Sequence, residues 1–225
     1  MKRVALAAVV LLVVSLFVLP AAAQYFQLRT VLDEPGIDQN TLARLMSGGQ
    51  VVVVRENAAG RMSMITAGVL VNRPPATVWQ TVTDFANYPK FMPSVAECQI
   101  MADSGNVKDI RYKLRFKFLI FSFSANYVLR TYFKPADEMT WNLLSCEDNK
   151  IRQTYGSWRF FPIGGGKQTA AFYSVYSDIT NVVPGLGSFI KKDPSMEVAI
   201  NSSSCLMVVK ALKSRSENPS WVQAQ

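Results

Sequence analysis

The sequence predicts an α+β domain in which a curved antiparallel β-sheet wraps around a long C-terminal helix. Three observations carry that prediction. From Ile110 to Phe118, apolar Ile110, Tyr112, Leu114, Phe116 and Phe118 alternate with Arg111, Lys113, Arg115 and Lys117. A period of two sends the sets to opposite faces of a strand buried on one side only, as in an antiparallel sheet. Gly105-Asn106, Pro135-Ala136-Asp137, Glu147-Asp148-Asn149 and Gly164-Gly165-Gly166 punctuate the middle of the chain, and turns this short join antiparallel neighbours. Asp193-Pro194 then opens a long helical pattern, with Asp suited to the cap and Pro to the first turn.

The elements follow in order. Met1-Lys2-Arg3 is basic, Val4 to Leu19 is aliphatic apart from Ser15, and Ala21-Ala22-Ala23 precedes Gln24. That succession is expected to act as a secretory signal over residues 1–23, cleaved after Ala23. Left uncleaved, it would anchor the chain in the inner membrane. Both readings place the domain in a periplasmic or extracellular space. Residues 24–61 read as an N-terminal extension with a short helix over Gln39 to Met46 and a β-branched strand over Val51 to Val54. Ala58-Ala59-Gly60 turns the chain into a second strand, Met62 to Val71. Pro74-Pro75 starts a helix with an apolar face of Val78, Trp79, Val82 and Phe85, expected to end near Asn87. Tyr88, Phe91 and Met92 form an aromatic corner with Pro89 and Pro93. Further strands are expected at Ser94 to Ala102, Ser122 to Tyr132, Thr140 to Cys146, Ile151 to Phe161 and Thr169 to Thr180. Asn181 to Lys192 reads as a connection, the last helix as reaching about Lys213, and residues 215–225 as a soluble tail.

Composition narrows the chemistry. Among 225 residues there is no histidine, which removes Ser-His-Asp and Cys-His catalysis, His-ligated metals and histidine pH switches. Cys98, Cys146 and Cys205 are isolated and read as small hydrophobes. No cofactor and no metal are implied. The net charge of +8 favours anionic surfaces, but without a compact basic run or aromatic interleaving it does not suggest nucleic acid. Gly164-Gly165-Gly166-Lys167 lacks the spacing and the Ser/Thr of a phosphate loop and lies between strands. Asp84, Asp109, Glu138, Asp178 and Glu197 form no spaced carboxylate pair, so no catalytic residue is singled out.

Val71-Asn72-Arg73-Pro74-Pro75-Ala76-Thr77-Val78-Trp79, Val82-Thr83-Asp84-Phe85 and Tyr88-Pro89-Lys90-Phe91-Met92-Pro93 resemble the opening of the START-like superfamily (SRPBCC), in its polyketide cyclase/dehydrase and coenzyme Q-binding branch. Gly156-Ser157-Trp158-Arg159-Phe160 and the helix from Pro194 fit as well. The resemblance spans about residues 63–214, within a domain read as 62–214. It implies a helix-grip fold of seven antiparallel strands around a C-terminal helix, enclosing a cavity for a lipid, a quinone or another greasy compound. On this chain it implies lining by Tyr112, Leu114, Phe116, Tyr127, Trp141, Tyr155 and Tyr173 from the sheet, and by Met196, Ile200, Ser203 and Met207 from the helix. Small polar Asn201 to Ser204 suit a cavity that hydrogen-bonds a ligand. Tyr88, Phe91 and Met92 are expected near its mouth. Arg111, Lys113, Arg115 and Lys117 are expected to face solvent or an anionic membrane surface. The implied function is an exported binding or carrier domain for a hydrophobic small molecule. The alternatives are a cyclase, dehydrase or hydrolase in the same cavity, or a protein- or membrane-interaction domain without ligand.

Overall fold

The computed structural model describes residue 47, residues 50–118 and residues 121–222, with 117, 118, 121 and 122 given by backbone alone. The expected signal, the lead-in and the helix over Gln39 to Met46 lie outside the described residues, as does the side chain of Lys117.

Eight strands form one antiparallel sheet: β1 (Gln50–Glu56), β2 (Met62–Val71), β3 (Val95–Asp103), β4 (Val107–Phe118), β5 (Phe121–Lys134), β6 (Glu138–Ser145), β7 (Thr154–Ile163) and β8 (Gln168–Ser177), in the order β1-β2-β8-β7-β6-β5-β4-β3. The resemblance implied seven strands; the β-branched run of β1 adds the eighth, along β2. Strands β3 to β8 are consecutive hairpins, and β2 docks on β8 with Ala67 opposite Tyr173. The triple glycine is the β7–β8 turn, with all three glycines at positive φ, a conformation open to residues without a Cβ.

The helices divide between the two ends of the sheet. At the end where β2 finishes and β8 begins lie α1 (Pro75–Val82), a 3-10 turn (Phe85–Asn87) and α2 (Tyr88–Phe91). One continuous helix to Asn87 was expected. The chain instead breaks at Thr83, whose Oγ1 turns back to donate to the Trp79 carbonyl at 2.8 Å, and restarts around Pro89. At the opposite end, the connection from β8 contains α3 (Leu186–Lys192), where no regular element was expected. It leads into α4 (Ser195–Glu217), whose start is braced by the Asp193 carboxylate accepting from the Ser195 N–H at 3.0 Å. Helix α4 outlasts its expected end by about a turn, and Trp221 packs against the core beyond it.

Helix α4 lies chiefly on β2 and β8, with further contacts to β1 and α1. Val209 and Leu212 are fully buried there beside Ile65, Ala67 and Val69. The C-terminal turn of α4 is latched to the end of β2: Glu217 Oε1 accepts from the Asn72 N–H at 2.8 Å and from Lys213 Nζ at 2.7 Å, and Lys213 also donates to the Leu70 carbonyl. No helix among the described residues is long and apolar enough to cross a membrane.

Candidate functional site

The strand registers determine what shares the concave face. Tyr112 lies opposite Tyr127, Leu114 opposite Ala125, and Phe116 opposite Phe123. Thr131 faces Trp141, Trp141 faces Gly156, Met139 faces Trp158, and Trp158 faces Tyr173. The side of the sheet that meets α4 is therefore an aromatic floor. Gly156 is what lets its centre form. A Cβ there would lie 2.3 Å from the Trp141 ring and 2.4 Å from the Ser174 carbonyl. With none present, Trp141 reaches across β7 and stacks on Tyr173 at 5.5 Å, while Trp158 contacts Tyr173 at 4.8 Å. Tyr112 and Tyr127 stack at 5.7 Å, and Tyr88 approaches Tyr112 from α2 at 6.3 Å.

Tyr127 and Tyr173 stand out on this face. Both are only partly buried, although Ala67, Ala125, Leu129, Trp158 and Ala171 around them are buried. On the concave side of a curved sheet, rings that keep accessible surface among buried neighbours leave an uncovered recess. Leu114, Phe116 and Leu143 continue this partly covered surface toward the α3 end of the sheet. From α4, buried Glu197, Asn201 and Cys205 recur at intervals of four and form its inner line.

Tyr112, Leu114, Phe116, Tyr127, Trp141 and Tyr173 thus share one face, as expected. Tyr155 does not. It pairs with Tyr176, which places it on the opposite face from Trp158 and Tyr173, and its hydroxyl donates to the Ser63 carbonyl. On α4, Ser203 and Met207 are exposed, Met207 by 46%, and Met196 and Ile200 flank the inner line at partial burial. In the N-terminal half of this helix the buried stripe is polar, Glu197 and Asn201, and the apolar residues beside it do not mark it. Tyr88, Phe91 and Met92 are buried and close one end of the domain instead of framing a mouth. The Tyr88 hydroxyl donates to the Val82 carbonyl and locks that corner. Sequence reasoning did not place Trp158 on this face, and it read Cys205 only as a small hydrophobe, without its place on the inner line of α4. Trp158 was legible in the alternation with Phe160, whereas nothing local marks Cys205.

The sheet residues of this face are uncharged. Burial pushes the hydroxyls of Tyr88, Tyr112, Tyr127 and Tyr173 well above the ordinary tyrosine range, and the thiols of Cys98 and Cys205 up to about 12. At neutral pH they are protonated groups, able to donate a hydrogen bond and unable to act as bases. The five carboxylates considered from sequence have partners. Asp109 holds Arg130 through two contacts of 2.8 Å, Asp178 meets Arg152 at 3.1 Å, Glu138 meets Arg159 at 3.3 Å, and Asp84 accepts from Asn87. Glu197, the one buried carboxylate among the described residues, meets Arg61 at 3.2 Å. No group of three or more Cys, Asp or Glu among the described residues is placed to hold a metal ion.

On the outer face, Arg111 and Arg115 are exposed and Lys113 is partly so. Glu97 from β3 meets Lys113 at 2.6 Å, and the neighbouring Arg115 and Arg111 also help hold its carboxyl below the ordinary range. The alternation of β4 is as expected, with its positive charge partly offset.

The fold recurs in proteins of distant sequence. A STAR-related lipid transfer protein fragment from Xanthomonas axonopodis superposes with a TM-score of 0.56 at 14% identity, over 76% of this chain and 94% of its own. The Zhui aromatase/cyclase from Streptomyces sp. R1128 gives 0.53 at 16% identity, over 71% and 99%. A START superfamily protein from Mycobacterium smegmatis gives 0.52 at 19% identity, over 70% and 99%. At such identities the likeness is one of fold. No curated protein matches the chain by sequence. The family profile described as polyketide cyclase / dehydrase and lipid transport matches residues 71–194. With more than half of its length under that profile and a START-like, helix-grip sheet packed on α4, the chain belongs to the polyketide cyclase/dehydrase and lipid transport family.

Proposed function

We propose that this protein is an exported carrier that holds a hydrophobic small molecule, a lipid or a quinone-like compound, between the concave face and α4. The observation that carries the reading is the partial exposure of Tyr127 and Tyr173 among buried neighbours. Apolar ligand surface moved onto that floor gains roughly 25 cal/mol per Å² before ordering costs. Protonated tyrosine hydroxyls suit an uncharged ligand that bears an acceptor such as a carbonyl. Structural likeness to a lipid transfer protein supports carriage. Likeness to an aromatase/cyclase supports the alternative of chemistry in the same recess. That alternative needs an acid or base, and Glu197 is the buried carboxylate available for it.

Native mass spectrometry of the mature protein, followed by organic extraction, is expected to release a stoichiometric neutral lipid or quinone. N-terminal sequencing of that sample is expected to begin at Gln24. Leu114→Trp fills the recess and is expected to abolish ligand content while the fold is retained by circular dichroism. A ligand-free wild type, or unchanged content in the folded variant, overturns carriage at this site. Glu197→Gln is expected to leave uptake intact. A variant that accumulates an unconverted ligand favours the enzyme.

A further inference from the structure

The end of the sheet where the concave face is least covered carries an unusual surface. Phe189, in α3, is 63% exposed, the most exposed large hydrophobic side chain among the described residues. It is not on a loose tether. Ile190 beside it is fully buried. The Phe189 N–H donates to the Gly185 carbonyl at 3.2 Å, and the Asp193 N–H donates to the Phe189 carbonyl at 2.9 Å. Gly187 sits so close to Thr180 that an added Cβ would lie 3.1 Å from its carbonyl oxygen. A short, seated helix thus holds an aromatic ring out in water. Lys191 and Lys192 follow directly, both exposed and without a salt bridge among the described residues.

We propose that α3 docks the protein on an anionic lipid bilayer, with Phe189 entering the interface and Lys191 and Lys192 meeting lipid phosphates. An apolar ring beside cations matches a surface that is greasy within and negative outside. Seating α3 there brings the partly covered Leu114, Phe116 and Leu143 toward the membrane, so the recess would open where its cargo resides. That consequence rests on the carrier reading, whereas docking itself does not. The β4 strip competes for the role, but Glu97 offsets part of its charge.

Flotation of the mature protein with vesicles of phosphatidylcholine alone, or mixed with phosphatidylglycerol, tests this. Wild type is expected to float only with the mixed vesicles. Replacing both Lys191 and Lys192 by Gln is expected to lower partitioning roughly 25-fold, and Phe189→Ala about tenfold. Equal partitioning of wild type on both vesicles, wild-type behaviour of Phe189→Ala, or a loss that follows Arg111→Gln/Arg115→Gln instead overturns the assignment to α3. Native mass spectrometry on the same preparations separates the two proposals. Docking without cargo sustains α3 and sinks carriage, whereas cargo without docking does the reverse.

Discussion

The two ends of the sheet are built from similar residues to opposite effect. At the α1–α2 end, Val78, Val82, Phe85, Tyr88, Phe91 and Met92 are buried. Their rings meet edge to face: Trp79 against Phe133 and Phe160, Tyr88 against Phe91. The Arg215 guanidinium lies over Phe91 at 5.4 Å. At the α3 end, Leu114, Phe116, Leu143 and Tyr127 are also apolar or aromatic, yet each stays partly uncovered, and the N-terminal turn of α4 is tied to the β1–β2 loop by the Arg61–Glu197 pair. Aromatic content alone does not tell core from site. What separates them is whether a second layer covers the first. The closed end contributes stability, and the open end gives up some of that contribution for access.

Substitutions at the two ends should therefore read out differently. The largest effect is expected from Phe91→Ala at the closed end. Its ring is fully buried, so truncation should cost about 3–5 kcal/mol in denaturant unfolding while ligand content in the folded fraction holds. A loss below about 1 kcal/mol would erase the contrast. Gly156→Ala should come next, at about 1–3 kcal/mol by overpacking, because its Cβ collides with Trp141. Its sharper mark should be lost ligand, since the Trp141–Tyr173 stack must shift. Retained ligand would move the site away from that stack. The smallest effect should be Glu217→Gln in the latch, about 1 kcal/mol at neutral pH. Burial works against this carboxylate, but the Lys213 ammonium and the Asn72 N–H hold it below the ordinary range. A lowered folded-state pKa gives stability that is present above about 4.3 and lost as pH falls through the lowered value. Melting curves of wild type and variant should thus converge in acid. A constant gap across pH would remove the charge from the latch.

Much of this was legible in the sequence because strands announce themselves by alternation. The β4 pattern placed Tyr112, Leu114 and Phe116 on the correct face without any tertiary information. Strand β7 was harder, because Tyr155, Trp158, Phe160 and Phe161 are all aromatic and both faces of that strand are apolar. Only the register with β8 separates Tyr155 from Trp158. Helix α4 misled for a different reason. Its inner line is Glu197, Asn201, Cys205, Val209 and Leu212, hardly more apolar than its flanks. Hydropathy favoured Met207, which faces water. Burial on this helix is set by how it crosses β2 and β8, a long-range fact that no local window contains. Helix α3 escaped notice because proline and glycine precede it, and only its seating on Thr180 and the core makes it regular.

The stack over Gly156 also has an optical consequence. Of the four tryptophans, Trp141 and Trp158 both touch Tyr173, whereas Trp79 belongs to the closed end and Trp221 follows α4. Two of the four indoles therefore lie beside the recess. A quinone-like guest there would quench their emission, and an aliphatic one would shift it to the blue, so the protein reports its own occupancy without a label.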